Sequence, residues 1–446
     1  MGPVIAIKHP GYRVLSGKGV IMKIVYILFF ILSVSISVPK AWAVDLNTLL
    51  ANLSSSHTDT RREAIRTLKG STYRSRPEIV TPLINAMRTD SDYLNREYAA
   101  EALVAHTYPT ARQSVIETLT TSQYSLGHEA AASSLRRTNS PAVKAAFLAS
   151  TQHTDEDVRR HVAQGLSMFV SDTQVVQKLT EMANNDSYSL AREYAAESIA
   201  KLPAAQAVPI LAGILSNPQS RGRVAAAEGL RQVKGPLVIP PLLAVMSDSN
   251  VDLRRSVIRG LSNHIGTPAV FEAFYRAAQS ESNSYAKELL IEAIVKSNDP
   301  RALEIARANM TSTNYSIQRD SLGKVKKSGD KSDLVTLIGL LQDSDESTRS
   351  RAYDAIKAIL DRLQKNDPFK TRLVHCLPNV SYSPYNNSTR TTAFYMDILL
   401  GGFGLYSAAA SGDRRIVGRL TPESTRSLQA LVREMLREED IYADLD

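Results

Sequence analysis

The sequence of 446 residues predicts an all-α protein built from stacked two-helix repeats, on the basis of two recurring patterns. Aliphatic residues, here called anchors, recur every 31 to 35 positions along most of the chain. The anchors are Leu68, Leu103, Leu135, Leu166, Ile199, Leu230, Leu261, Ile294, Val325 and Ile356. A basic residue lies seven positions before most of them, at Arg61, Arg96, Arg159, Arg192, Arg223, Arg254, Lys287 and Arg349. Such a period is typical of a solenoid, which offers partners a long surface rather than a catalytic pocket.

Residues 1–43 have the features of a secretory signal peptide. From Met22, a lysine leads into an apolar run over residues 24–38. The pattern Ala41-Trp42-Ala43, with a small residue at its first and third positions, then forms a cleavage site. This run is shorter than the roughly 20 residues that a membrane-spanning helix needs. We therefore expect a mature chain from Val44 without a stable membrane span, in an exported protein that is periplasmic or secreted. Met22 is the expected true start, because the residues before it match no targeting pattern.

The formal net charge of +8 overstates the basic character of the chain. Residues 1–43 contain five basic residues and no acid, which leaves 48 basic against 45 acidic residues, or +3, in the rest. Because the two signs are interleaved, the sequence shows no nucleic-acid footprint. Cys376 is the only cysteine, so an intramolecular disulfide is excluded and stability must come from packing.

Each repeat is predicted to contain two helices, within a repeat region at 44–363 of about ten units. Helix A carries the basic residue and the anchor, and residues 95–103 show its pattern of apolar positions at helical spacing. The residue four before the anchor is mostly small, which lets neighbouring helices approach closely. Helix B then begins at steps such as Ser140-Pro141 and Thr267-Pro268, where a capping side chain precedes a proline that opens the helix. Residues 191–199 nearly duplicate 95–103, three repeats downstream.

Val158, Arg159, Val162 and Leu166 form a motif that resembles HEAT repeats, specifically the short type named after phycobilisome lyases. The same motif recurs at 253–261, and the resemblance covers about 46–363. It implies a right-handed α-α superhelix (a HEAT/ARM-like solenoid) with helix B along the concave side. Proteins of this kind usually bind other proteins, so the resemblance implies a protein partner of unspecified identity.

The basic residues are predicted to form a structural ladder between repeats. The ladder comprises Arg96, Arg159, Arg192, Arg223, Arg254, Lys287 and Arg349. The expected partners are acids in the turns, such as Asp155, Asp186, Asp248 or Asp345. The alternative is a surface ladder that binds anions.

Tyrosines recur just ahead of helix A, at Tyr93, Tyr124, Tyr188, Tyr285 and Tyr315. Packing at the helix ends is the expected role, since tyrosine has an apolar body and a polar tip. An exposed aromatic stripe is the alternative.

Two enzymatic interpretations are weaker than a scaffold or adaptor. His128-Glu129 resembles one His-Glu step of deoxyhypusine hydroxylase, a di-iron HEAT-repeat enzyme that needs several such steps. The equivalent Glu97, Glu193 and Glu288 follow Arg or Lys, and a cation there would repel a metal. A phycobilin lyase is the other alternative. His375-Cys376 is a chance pairing, because adjacent side chains in an extended segment point apart. The sequence thus predicts no catalytic residue, metal or cofactor.

The segment 364–446 is predicted to be a loop followed by a helical cap. Pro422 opens an amphipathic helix whose apolar face contains Leu428, Leu431, Val432, Met435 and Leu436. This face either covers the exposed end of the solenoid or serves as a docking helix for a partner or a second copy of the chain. The oligomeric state stays open.

Overall fold

The structure, a computed structural model, describes residues 45–363, 367–369 and 422–443. Every regular element in these ranges is a helix, which confirms the all-α prediction. None of the described helices has the length and apolar character needed to cross a membrane. The chain divides into two compact units, the first ending at Leu135 and the second beginning at Arg136.

The described part of the first unit, from Asp45 to Leu135, contains six α-helices. These are α1 Leu46–Asn52, α2 Thr58–Leu68, α3 Val80–Thr89, α4 Tyr93–Ala105, α5 Pro109–Thr120 and α6 His128–Leu135. Short 3-10 helices lie at Ser71–Tyr73, Pro77–Ile79 and Ser122–Gly127. After α1, the even-numbered helices correspond to helix A of each repeat and the odd-numbered ones to helix B.

The second unit continues the same alternation. Its helices are α7 Pro141–Ala149, α8 Glu156–Leu166, α9 Thr173–Asn185, α10 Ser189–Ile199, α11 Ala204–Ser216, α12 Arg223–Gln232, α13 Ile239–Ala244, α14 Val251–Ser262, α15 Pro268–Ser280, α16 Ser284–Lys296, α17 Arg301–Asn309, α18 Tyr315–Ser328, α19 Leu334–Leu340, α20 Glu346–Arg362 and α21 Pro422–Ala443. Additional 3-10 helices lie at Ser167–Phe169, Pro236–Val238 and Lys331–Asp333. The described residues therefore include helix A of all ten predicted repeats.

The core of each unit is built on its anchors. All ten anchors are at most 2% exposed, and the residues four positions before them are also buried. Ala99 and Ala195 are examples of these small residues, with no exposed surface. Their size allows adjacent A helices to pack along their length, because a small side chain brings the two backbones close together.

Within the second unit, the A helices pack more extensively against each other than the B helices do. The succession α8, α10, α12 and α14 shows close contacts at each step, whereas α9, α11 and α13 touch at few positions. The small residues on helix A account for this close packing. The expectation that helix B lines the concave side stays a prediction.

Helix B begins at both predicted positions, but only one of the two boundaries has the predicted capping hydrogen bond. Ser140 accepts a hydrogen bond from the amide of Val143 at 3.3 Å, as a capping residue should. Thr267 precedes Pro268 without a side-chain cap. Proline at the first helical position is therefore the feature that these two boundaries share.

Candidate functional site

The arginine ladder is built from guanidinium groups that hold two turns at once. Arg159 Nη1 donates to the carbonyl oxygens of His153 and Thr154, at 2.7 and 3.2 Å, in the turn before its own helix. Its Nε and Nη2 donate to the two carboxylate oxygens of Asp186, both at 2.9 Å, in the turn before the next A helix. The two side chains are only 11% and 4% exposed. Arg159 is therefore a link between successive repeats.

Bidentate links of this kind occur at two further positions. Arg61 binds Asp90 at 2.7 and 2.9 Å, and Arg254 binds Glu281 at 2.8 and 2.7 Å. Together with Arg159, these arginines stand at intervals of 98 and 95 residues, which is every third repeat. These bidentate links thus follow a longer period than the single repeat.

The remaining ladder residues use simpler contacts. Arg223 reaches Asp248 with one 2.6 Å contact. Arg96, Arg192 and Arg349 donate from Nη1 to carbonyl oxygens of the preceding turn, at 2.6 to 3.1 Å. Lys287 is exposed and forms no ion pair with any described residue.

Two of the four expected acids have a different function. Asp155 accepts from the amides of Asp157 and Val158, and Asp345 accepts from the amide of Thr348, so both cap the start of their own helices. Asp186 and Asp248 do receive arginines. The guanidinium groups that form these contacts are directed at the protein's own turns rather than at a surface ligand.

The buried ladder pairs stay ionised. Burial alone would raise the pKa of Asp90, but hydrogen bonds from Arg61, the Asp92 amide and Asn95, with the charge of Arg61, lower it below its usual value. The hydrogen bonds from Arg254 likewise lower the pKa of Glu281. Such carboxylates contribute to stability as anions.

Two of the recurring tyrosines are exposed, and arginines from neighbouring A helices lie over their rings. Tyr285 is 43% exposed, with the guanidinium groups of Arg255 and Arg259 at 5.2 and 5.7 Å from the ring centre. Tyr315 is 50% exposed, and Arg351 lies 5.0 Å from its ring and donates to its hydroxyl at 2.6 Å. The sequence pattern indicated the tyrosines but not these arginines, because the partners are 26 to 36 residues away.

Tyr93, Tyr124 and Tyr188 are partly buried. Arg96 lies 5.8 Å from the centre of the Tyr93 ring, and Arg88 lies 4.0 Å from that of Tyr124. The recurring tyrosines therefore include both half-buried and exposed members.

An open groove of about 430 Å³ crosses three successive A helices of the second unit, α10, α12 and α14. It is lined by Glu193, Glu197, Val224, Glu228, Arg231, Asp252, Arg255, Ser256 and Arg259. Burial, followed by the charges of Glu228 and Glu197, raises the pKa of Glu193. No local sequence pattern predicts this groove, because its lining comes from three repeats.

The described residues do not assemble a metal centre. No group of three or more His, Cys, Asp or Glu side chains within 45–363, 367–369 and 422–443 is placed to hold a metal. His128 is buried, with Nε2 2.9 Å from the carbonyl oxygen of Thr121. His375 and Cys376 lie outside the described residues.

The candidate docking helix α21 packs against the last described repeats. Leu428, Val432 and Met435 are at most 4% exposed, and Leu431 and Leu436 are partly buried against the same cluster. Nε2 of Gln429 also donates to the carbonyl oxygen of Val335 on α19, at 2.7 Å. This arrangement is the one expected of a cap, and a docking role for the helix stays a prediction.

Comparison with known proteins agrees with this architecture. The HEAT repeats profile matches residues 46–136, 127–200, 190–262 and 239–325, more than half of the chain. A structure of Kap95p with RanGDP, solved in connection with nuclear import complex assembly, aligns with a TM-score of 0.52 and 12% identity, over 86% of this chain and 58% of Kap95p. Importin beta gives a TM-score of 0.49 and 11% identity, over 74% and 53% of the two chains.

At such identities, the likeness to Kap95p shows the fold alone. This chain spans between about half and three fifths of the length of these two solved chains. No protein with a curated description matches the sequence. The predicted solenoid of HEAT-like repeats is confirmed, while its subtype stays a prediction. The chain belongs to the HEAT-repeat family.

Proposed function

We propose that the chain is an exported, non-catalytic scaffold or adaptor that binds another protein through the surface formed by its A helices. The observation that carries this proposal is the pairing of exposed tyrosines with arginines on that surface. Tyr285 and Tyr315 are half exposed, and each has an arginine of a neighbouring helix over its ring. Tyrosine and arginine are enriched among the residues that dominate binding at protein interfaces.

Arginines inside the fold have different partners from those on its surface. Ladder arginines such as Arg159 and Arg254 form ion pairs within the protein. Arg255 and Arg351 instead lie beside exposed aromatic rings, where a partner can reach them. Export is supported by the signal-like sequence up to Ala43, and the proposed compartment is the periplasm or the extracellular space.

Reversible crosslinking followed by affinity capture from the cell envelope tests the proposal. The bait is the tagged chain as the cell processes it, compared with a Tyr285→Ala/Tyr315→Ala variant. We expect one saturable protein partner that the double variant captures at least fivefold less well. Leu237→Ala is the matched control, because Leu237 is 52% exposed and lies between α12 and α13, away from both tyrosines. Equal capture by all three proteins, or capture by none, would contradict the proposal.

The enzymatic alternative has a separate test. A HEAT-repeat hydroxylase would carry stoichiometric iron and a phycobilin enzyme would bind a chromophore, whereas a scaffold needs neither. Metal analysis and visible absorption of the protein purified from its source distinguish them. A stoichiometric metal or a bound chromophore would overturn the non-catalytic assignment.

A further inference from the structure

A glutamate pair recurs every third repeat, at equivalent positions of helix A. The stretches 96–103, 192–199 and 287–294 share a basic residue, a glutamate directly after it and a second glutamate four positions later. Because all three stretches place two glutamates at the same helical positions, differences in the surroundings of the glutamates distinguish one repeat from another.

The first pair is held by neighbouring side chains. Glu97 accepts a hydrogen bond from the hydroxyl of Ser133 at 2.8 Å, and Glu101 forms an ion pair with Lys69. Both carboxylates therefore have a partner within the first unit.

The third pair is also satisfied. Glu288 accepts from Nδ2 of Asn314 at 2.9 Å, and Glu292 pairs with Lys296 at 2.6 Å, one helical turn later. Each carboxylate of this pair therefore has a partner, and Glu292 forms an ion pair.

The middle pair differs, and it forms one end of the groove. Glu197 accepts one hydrogen bond, from Nε2 of Gln232 at 2.9 Å, and Glu193 has no ion pair with a described residue. Lys201, the equivalent of Lys296, donates instead to the hydroxyl of Ser167 at 2.8 Å. Both carboxylates thus line the groove, and neither forms an ion pair with a described residue.

The other end of the groove is basic and aromatic. Arg255 and Arg259 lie on α14, and both guanidinium groups are within 6 Å of the Tyr285 ring centre. Arg255 pairs with Asp252 at 3.0 Å, but Arg259 approaches its nearest acid, Glu228, only to 3.8 Å. Glu228 is itself engaged by Arg231 at 2.7 Å, so Arg259 is the less compensated arginine.

The groove therefore has charge of opposite sign at its two ends, and Val224 and the Glu228–Arg231 ion pair of α12 lie between them. Adjacent packed helices are about 8–10 Å apart, so α10 and α14 are separated by about 16–20 Å. An extended chain advances about 3.3 Å per residue and covers that distance in about five to six residues.

We propose that this groove binds an extended segment of a partner protein. The segment places a lysine or arginine against Glu193 and Glu197, and an aspartate or glutamate about five to six residues away against Arg259. This inference rests on the proposed protein-binding function and specifies the chemistry of the partner. Opposite charges at both ends set the register of the segment and exclude sequences of a single sign.

Arrayed peptides test the proposal directly. The probes are twelve-residue peptides of serine and alanine that carry two lysines and two glutamates, with the spacing between the charge pairs varied, alongside all-lysine and all-glutamate versions. We expect strongest retention of the processed full chain at spacings of five to six residues, at least fivefold above peptides of either single sign. Retention falls in 0.5 M salt, because exposed ion pairs are screened.

Two double variants complete the design. Glu193→Gln/Glu197→Gln should lose retention at least fivefold, while Glu288→Gln/Glu292→Gln, altered at the same positions three repeats later, should retain it. The melting temperature of Glu193→Gln/Glu197→Gln should equal that of the unaltered chain. Arg259→Gln tests the basic end of the groove in the same way. The proposal is overturned if retention does not depend on the spacing of the charges. It is also overturned if both Glu193→Gln/Glu197→Gln and Arg259→Gln retain the peptides as well as the unaltered chain does.

Capture from the envelope separates this inference from the function on which it rests. If the unaltered chain and both groove variants capture the same partner equally, the groove assignment is wrong and the protein-binding function stands. If the unaltered chain captures nothing, the protein-binding function itself fails.

Discussion

Asp186 shows how one residue can hold three elements of this fold. Its carboxylate accepts from Arg159 of the preceding helix A and from the amide of Tyr188, and its carbonyl oxygen accepts from Arg192 of the following helix A. Periodicity predicted the arginines and two of their acids, because both recur at fixed repeat positions. It did not distinguish Asp155 as a helix cap from Asp186 as a ladder acid, since both are aspartates in a turn and only their geometry differs.

Substitution of Arg159 should lower the free energy of unfolding far more than substitution of Arg192. Arg159→Ala leaves the carboxylate of Asp186 buried without its cation, so we expect a loss of about 3 kcal/mol in the free energy of unfolding. Arg192 donates only to carbonyl oxygens, and Arg192→Ala should cost about 1 kcal/mol. Urea denaturation followed by circular dichroism measures both. Equal losses would contradict the structural ladder.

Acidification should weaken the link between Arg61 and Asp90. The folded-state pKa of Asp90 lies below the unfolded value of about 3.9. Its contribution to stability is therefore fully present above that pH and is lost as the pH falls through the folded-state pKa. The difference in urea midpoint between the unaltered chain and Asp90→Asn should shrink between pH 6 and pH 3. Asp59→Asn, at a carboxylate that is 92% exposed, is the control and should change little at either pH.

At the scale of elements, close backbone approach decides which glycines are required. A Cβ atom at Gly222, just before α12, would lie 1.8 Å from the carbonyl oxygen of Ala183 on α9. Gly127 has the same place three repeats earlier, and there a Cβ would lie 2.9 Å from the carbonyl oxygen of Met87. The sequence contains both glycines, but a pattern of spacings does not reveal which backbone lies against them.

Two glycine-to-alanine substitutions should therefore have opposite effects. Gly222→Ala forces α12 away from α9, and we expect a loss of about 2–3 kcal/mol in the free energy of unfolding. Gly213, inside α11, has open space where the Cβ atom of an alanine would lie, so Gly213→Ala should stabilise the helix by about 0.5–1 kcal/mol. Thermal and urea denaturation of the two variants provide the comparison. A stabilising Gly222→Ala would refute the close approach.

The position of α21 is open to a similar test. Val432 has no exposed surface, and Val432→Glu would bury a charge against α19 and α20. We expect α21 and α19 to lose protection from hydrogen exchange and the melting temperature to fall. Arg437→Glu, on the exposed side of α21, should leave both unchanged. If Val432→Glu altered neither quantity, the apolar face of α21 would be available to a partner instead.

At the scale of the whole molecule, the repeat period predicted the fold class, whereas the location of the proposed binding surface required the structure. Tyr285 and Arg259 are 26 positions apart, yet they meet because their helices are consecutive members of the A layer. Neither residue is unusual in its own repeat, so no local motif indicates that they belong together. The amphipathic face of α21 was predictable, but its packing on α19 depends on which surface the last repeats leave uncovered.

The predicted processing has a spectroscopic consequence. Trp42 is the only tryptophan and lies before the predicted cleavage site. Protein recovered from the cell envelope should therefore show tyrosine emission without tryptophan emission, while the unprocessed precursor shows both. N-terminal sequencing should begin at Val44. Tryptophan emission from the envelope form would contradict cleavage.

The spacing of the bidentate links limits how a chain of this kind can change its length. Arg61, Arg159 and Arg254 each meet an acid in the next turn, and they stand 98 and 95 residues apart. Deletion of the repeat that follows Asp186, for example, would bring Arg159 against the next turn, where Asn217 stands in place of the acid. A block of three repeats carries its own arginine and acid, so its gain or loss preserves the bidentate links. We therefore expect the triplet to be a better module than the single repeat for engineering longer or shorter arrays.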